Sequence, residues 1–177
     1  MEDIAKRADF SVGSIYNFFE SKDDVIRNVF RRLLKAEIES VDKHVLPFLP
    51  EPEKALEHLT MAWVKHHSEH SAIMQAGETL RSILGKSAGD PVEDDESVVM
   101  LRDIDMKRMA VFEEGVKSGA FHKINPELLT VMFYGICKSF CTYWRQVADT
   151  RPTEARHREL FYVIHFAITG HPPEGVK

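Results

Sequence analysis

The chain has only two cysteines in 177 residues, Cys137 and Cys141. They lie one helical turn apart inside an apolar run, so the spaced framework of a secreted, disulfide-stapled domain is absent. No apolar run approaches the roughly 18 residues of a bilayer span, and the first residues lack a charged-then-apolar signal pattern. A reducing, cytoplasmic setting with no membrane partner is the expectation. An excess of positive charge is also missing. The formal net charge is −5, which argues against a protein that coats nucleic acid by bulk electrostatics. There is no glycine-rich phosphate loop, nucleophile elbow or paired-carboxylate site, so nothing supports catalysis and no cofactor is expected. Runs of period-two alternation are absent too, and with them any case for strands.

Helical periodicity fills the space these absences leave. Apolar residues make up 44% of the chain and charged residues 29%, a balance that suits a folded core and argues against wholesale disorder. Glu2 to Ala8 places Ile4, Ala5 and Ala8 on one stripe. Asp9 and Phe10 then break the pattern, Phe10 as an apolar plug, and Ser11 is a good N-cap for a helix from Val12. That helix should turn Ile15 and Phe19 inward, with Phe18 beside them. Ser21 caps a longer helix, with Ile26, Val29, Phe30 and Leu33 on its buried stripe, and Pro47 and Pro50 stop it. Pro47 to Pro52 is therefore a natural boundary, dividing the chain into residues 1–46 and 47–177.

Beyond the boundary, Glu53 to His70 and Ile73 to Leu84 read as two helices, closed by Gly85. Residues 85 to 97, rich in Gly, Ser and acid, read as a solvated loop. Val98 to Lys117 is helical, with Gly119 as its C-cap, and Asn125-Pro126 opens another helix. Residues 128 to 147 are apolar on more than one face, and Leu160 to Ile168 repeats that character. Such helices need partners on two sides, within one core or in a second subunit. The expected fold is all-α.

The string A-x-x-A-D-F-S-V-G-S-I-Y-N-F-F-E-S-K-D-D-V, beginning at Ala5, resembles the DNA-binding signature of the TetR family of bacterial transcriptional regulators. The likeness runs without a gap from Ile4 to about Phe30. It implies a helix-turn-helix in which Glu2 to Ala8 is the first helix, Val12 to Phe18 the recognition helix, and Ser21-Lys22 the start of a connector. Operator DNA would be met by Ser11, Val12, Gly13, Ser14, Tyr16, Asn17 and Lys22. In that arrangement Ser14 and Asn17 reach bases or sugars, Tyr16 offers a hydroxyl to a phosphate, and Lys22 is a phosphate cation. Residues 1 to 35 carry seven Lys or Arg against six Asp or Glu, so geometry rather than net charge would have to favour DNA.

Three departures from the family pattern stand out. The family often has Gly where Asp9 stands, and a basic or polar residue where Val12 stands, which here suits an apolar contact such as a thymine methyl. Family members also have a further helix and a basic arm before the residue matching Glu2. Without them, Ile4, Ile15, Phe19 and Phe30 would lose a packing partner and the DNA-binding lobe would be loose.

The resemblance further implies a ligand-responsive regulator, a homodimeric repressor released from its operator by a small-molecule effector, with activation as the alternative mode. Candidate effector contacts are Trp63, His67, Met74, Glu78, Met109 and Phe112. Met61, Met74, Met100, Met106 and Met109 with Trp63 and Phe112 suit an adaptable pocket and plain core equally well. Phe140, Trp144, Phe161 and Ile168 are the candidate dimer contacts. A different class competes: His66, Glu69 and His70 fit H-x-x-E-H, which would make a helical metal-dependent hydrolase or metal-binding protein. Partly buried or surface histidines are the plainer reading. Cys137 and Cys141 could serve as a thiol sensor, although small packing residues are the simpler role.

Overall fold

The computed structural model describes residues 1–83 and 96–174, with side chains placed for all of these except 23 and 71–83. Seven α-helices account for its architecture: α1 Glu2–Ala8, α2 Val12–Tyr16, α3 Lys22–His44, α4 Pro52–Ile83, α5 Glu96–Ser118, α6 Pro126–Gln146 and α7 Thr153–Thr169. No strand occurs among the described residues.

Local chemistry sets most of the helix ends. Ser11 caps α2 by accepting from the Ser14 N–H at 3.0 Å, and Ser21 caps α3 by accepting from Asp24 N–H at 3.1 Å. Asn125 caps α6 with Pro126 at its first position. Gly119 follows α5 at φ 80°, the left-handed geometry that a helix-terminating glycine supplies without strain. At the expected boundary, Leu46–Phe48 forms a short 3-10 turn between α3 and α4.

Three elements differ from the sequence reading. α2 ends at Tyr16 rather than Phe18, where the bonding tightens to three-residue spacing: the Asn17 N–H is shared between Gly13 and Ser14, and the Phe18 N–H donates to Ile15. The two helices expected on either side of His70 are present as two helical segments of α4 that meet at non-helical geometry at His70 itself (φ −123°, ψ 15°), differing from the expectation only in having no gap after the break. Phe10 does not plug the turn; it is 58% exposed, and Phe18 is 74% exposed. Leu84 and residues 85–95 of the loop expected over 85–97 lie outside the described residues, and its last two, Glu96 and Ser97, belong to α5.

The main core runs from the C-terminal half of α3 through α7. Val41 of α3 and Val45, its C-cap, join Leu56 and Leu59 of α4, Phe112 of α5, Phe133 of α6, and Leu160 and Ile164 of α7 in one cluster. α3 packs on α4 and α5, and α4 on α7. Close approach at the α5 end depends on Gly115, whose missing Cβ is the space taken by the Phe121 ring. Buried His165 of α7 ties that helix to α4, with Nε2 2.9 Å from Glu53 Oε2.

Candidate functional site

Two sites lie on α3, one beside its first turn and one in its second half. At the first, α1 ends on Asp9, which adopts φ 58° and ψ 39° so that the chain can reverse into α2. Asp is among the few residues other than Gly that enter this region at modest cost. Ile15 of α2 is buried, whereas Val12, Gly13, Tyr16 and Asn17 are exposed and Ser14 is half-buried. Ser11, also exposed, has its hydroxyl 2.8 Å from that of Ser14. Lys22 stands exposed at the start of α3. One short helix therefore turns a single large side chain inward and leaves a face of small, polar and aromatic groups toward solvent.

The second site is a cavity of about 510 Å³ between α3 and α4, with Arg108 of α5 in its wall. Its inner end is a buried polar cluster. Glu37 of α3 accepts from Arg108 through Oε1, and Arg108 also donates to the Tyr134 hydroxyl of α6. Tyr134 in turn donates to Asp105 at 2.5 Å. The guanidinium lies over the Trp63 and Tyr134 rings, 5.1 and 5.0 Å from their centroids. Burial pushes the Tyr134 phenol above its ordinary value, so it remains a donor. His66 places Nε2 3.7 Å from Glu37 Oε2, too far for a hydrogen bond, and that nitrogen has no hydrogen-bond partner among the described residues. Burial lowers the His66 pKa, against the neighbouring Glu37 carboxylate, which raises it.

The effector residues read from the sequence separate here. Trp63 lines the cavity. His67 stacks on Trp63 at 4.1 Å and donates through Nδ1 to the Trp63 carbonyl at 3.1 Å, so it supports the wall from behind. Burial pulls its pKa down to about 4. Phe112 is fully buried against Phe121 and Phe133, and Met109 is half-buried; neither lines the cavity. The side chains of Met74 and Glu78 lie outside the described residues. Sequence reasoning missed Glu37 and Arg108. Each sits midway in an i, i+4 apolar triplet, Leu33-Glu37-Val41 and Ile104-Arg108-Phe112, and opposite charges in two buried stripes were the available signal.

The helices expected to dimerise present a different face from the one read. Trp144, Phe161 and Ile168 are buried in the chain's own core and Phe140 is partly buried against it, because α6 and α7 pack those sides on α4 and on each other. Their exposed apolar side chains are Leu128, Val131, Met132 and Tyr143 on α6 and Tyr162, Val163 and Phe166 on α7.

The competing readings fare differently. His66 faces Glu37, Glu69 is exposed, and His70 stands at the break in α4. Among the described residues no three His, Cys, Asp or Glu are grouped to hold a metal ion. Burial raises the pKa of both thiols, Cys137 and Cys141, away from the reactive thiolate. No helix of the described residues is long and apolar enough to cross a membrane.

Residues 1–29 match the family model of bacterial regulatory proteins of the tetR family. The likeness to that family is carried in sequence by this N-terminal segment. An uncharacterized HTH-type transcriptional regulator of Bacillus subtilis, YhgD, is 28% identical over 130 residues, which span 72% of this chain and 64% of that protein. Two solved TetR-like folds resemble the whole chain. The TetR family transcriptional regulator PfmR of Thermus thermophilus is 16% identical with a TM-score of 0.71, covering 92% of this chain and 86% of its own. The fatty acid degradation regulator FadR of Bacillus halodurans is 17% identical with a TM-score of 0.67, covering 99% and 88%. The TetR-type segment is thus joined to an all-helical body of the same fold.

Proposed function

We propose that the chain is a ligand-responsive, homodimeric transcriptional regulator that binds operator DNA through α2 and Lys22 and releases it when a small molecule occupies the α3–α4 cavity. The observation that carries this reading is α3 itself. It begins at Lys22, beside the TetR-type helix-turn-helix, and holds Glu37 at the inner end of the cavity, so one rigid helix connects the two sites. A ligand that changes how Glu37 meets Arg108 changes the position of α3. It shifts DNA binding only to the extent that it binds one position more tightly.

In this reading residues 1–46 form the DNA-binding region with its connector, and residues 47–177 the effector and dimerisation region. Exposed Val12, Gly13, Tyr16 and Asn17 and half-buried Ser14 meet the groove, with Ser11 holding the helix start, and the cavity wall at Trp63, backed by His67, meets the effector. A cytoplasmic location follows from DNA as the partner. The exposed apolar side chains of α6 and α7 are the dimer face, for apolar side chains left outside the chain's own core favour a self-complementary contact.

The test has two parts. Genomic fragments selected by the purified chain should share a two-fold-symmetric sequence, and Tyr16→Ala with Lys22→Ala should abolish the selection while leaving the melting temperature unchanged. Light scattering should give about twice the chain mass, falling to one chain in Phe166→Glu. Random fragments, or a monomer at micromolar concentration, would remove the reading.

A further inference from the structure

The polar end of the cavity selects the chemistry of its occupant. Among the described lining residues the charges balance: Glu37, Glu39 and Glu69 against Lys43, Lys65 and Arg108. No net field favours an anion or a cation there. Arg108 is already engaged by Glu37 and Tyr134. A ligand carboxylate beside Glu37, or a ligand ammonium beside Arg108, would meet like charge at low dielectric, and an ammonium gains only where it reaches Glu37 Oε2 clear of the guanidinium. Val41, Leu59 and Trp63 add buried apolar surface to the lining, beside Ser40, His44, His58 and His70.

Arg108 Nε, Trp63 Nε1 and His66 Nε2 are buried here without a hydrogen-bond partner among the described residues, and of the three residues only His66 and Arg108 stand against the Glu37 carboxylate, Arg108 already bonded to it. Glu37 gives Oε1 to Arg108 and turns Oε2 toward His66. His66 is only 9% exposed, and its Nε2 lies 3.7 Å from Oε2 with no hydrogen-bond partner among the described residues. Leaving such a buried nitrogen unpaired is costly, and a ligand that pairs it gains accordingly. An oxygen placed about 2.8 Å from both atoms closes the triangle. With His66 in the tautomer that carries its proton on Nε2, facing the carboxylate, the oxygen must donate to Glu37 and accept from the imidazole N–H, which a hydroxyl does and a ketone oxygen does not.

We propose, resting on the effector reading of this cavity, that its ligand is an uncharged and mainly apolar molecule carrying a hydroxyl group, which bridges His66 Nε2 and Glu37 Oε2. His66 and Glu37 are then the specificity-determining residues of the site.

Calorimetric titration of the purified chain with two series of probes tests this: decanol, decanone, decanoate and decylammonium on a flexible skeleton, and borneol, camphor and bornylammonium on a compact one. On at least one skeleton the alcohol should bind at least about tenfold more tightly than its companions, a difference of about 1.4 kcal/mol. The preference should fall below about threefold in His66→Leu, which fills the space without a donor, and persist in His66→Gln, which keeps one; tenfold or more again converts by the same constant. The melting temperature of each variant confirms that it is folded. Tightest binding by a carboxylate or an ammonium, no binding by either alcohol, or an alcohol preference untouched by His66→Leu would each overturn the proposal. Release of a selected DNA fragment by the same probes is read separately: an alcohol that binds without releasing DNA leaves the ligand chemistry standing and removes the effector reading.

Discussion

Around α1, α2 and the first half of α3 the chain buries little, chiefly Ala5, Ile15, Leu33 and Leu34, and leaves Phe10, Tyr16 and Phe18 in solvent; from Val41 onward it builds a continuous core through five helices. The two regions are also ordered by different forces. Near the N-terminus the geometry comes from contacts a few residues apart: the Ser11 and Ser21 caps, the Asp9 turn, and acids leading and bases closing α1. Beyond Val41 it comes from contacts far apart in sequence, such as Glu37 with Arg108 at the junction and Glu53 with His165. A surface that is to meet a partner can be held by local chemistry, because its side chains are then free. A region that must transmit a ligand's presence needs long-range packing.

The sharpest way to break the second region is at the buried pair. Arg108→Ala strands the Glu37 carboxylate away from water, and the expected loss is about 3–5 kcal/mol in urea unfolding. Replacing both residues, Glu37→Leu with Arg108→Leu, should recover most of it, since two apolar side chains then meet where two charges did. Equal losses in the single and double variants would mean that the pair stabilises the fold outright and not merely each partner's burial.

How much of this contrast the sequence disclosed follows the same division. Caps, prolines and a helix-closing glycine act over three or four residues, so Ser11, Ser21, Asn125-Pro126 and Gly119 could be read directly, and the structure shows each in its expected role. Pairings 71 residues apart, like Glu37 with Arg108, leave no local mark beyond a charge inside an apolar stripe. On α6 and α7 both faces are apolar, and periodicity alone does not say which turns inward; Trp144, Phe161 and Ile168 do, and Met132 and Phe166 do not. At Phe10, hydrophobicity suggested burial, but the turn at Asp9 leaves it outside.

A second test of long-range packing lies at Gly115. A methyl group there would occupy the place of the Phe121 ring, which is held by the Phe121 N–H donating to the Gly115 carbonyl at 3.0 Å. Gly115→Ala gains helix propensity in α5 yet should still cost about 1–3 kcal/mol from overpacking, measured by thermal unfolding. Stabilisation instead would show that the ring moves aside freely and that this end of the core is less constrained than its burial suggests.

Acid should loosen the core region before the N-terminal one. Burial lowers His66 and His157, and brings His67 from 6.5 to about 4. A histidine whose folded pKa lies below its unfolded one binds fewer protons when folded, so stability rises with pH through that interval and is lost as pH falls from about 6.5 toward 4. His67 alone should give a slope of the order of 1 kcal/mol per pH unit over this window. Urea melts at pH 7 and pH 5 measure it, and His67→Gln should flatten the slope. An unchanged slope in that variant would assign the acid sensitivity to the other buried histidines.

The smallest effect belongs to the local region and has the opposite sign. Asp9 holds φ 58°, a conformation that costs an L-residue with a Cβ roughly 1 kcal/mol relative to glycine, although Asp is among the least penalised. Asp9 is exposed, so its replacement removes little packing. Asp9→Gly should therefore raise stability by no more than about 0.5–1 kcal/mol, partly offset by the greater freedom of glycine in the unfolded chain. Because the strain lies in the turn between α1 and α2, hydrogen exchange should slow at the amides of Phe10 and Ile15 and stay unchanged at Phe133. Slowing throughout the chain would mean that the two regions unfold as one unit and that the division drawn at the middle of α3 has no thermodynamic counterpart.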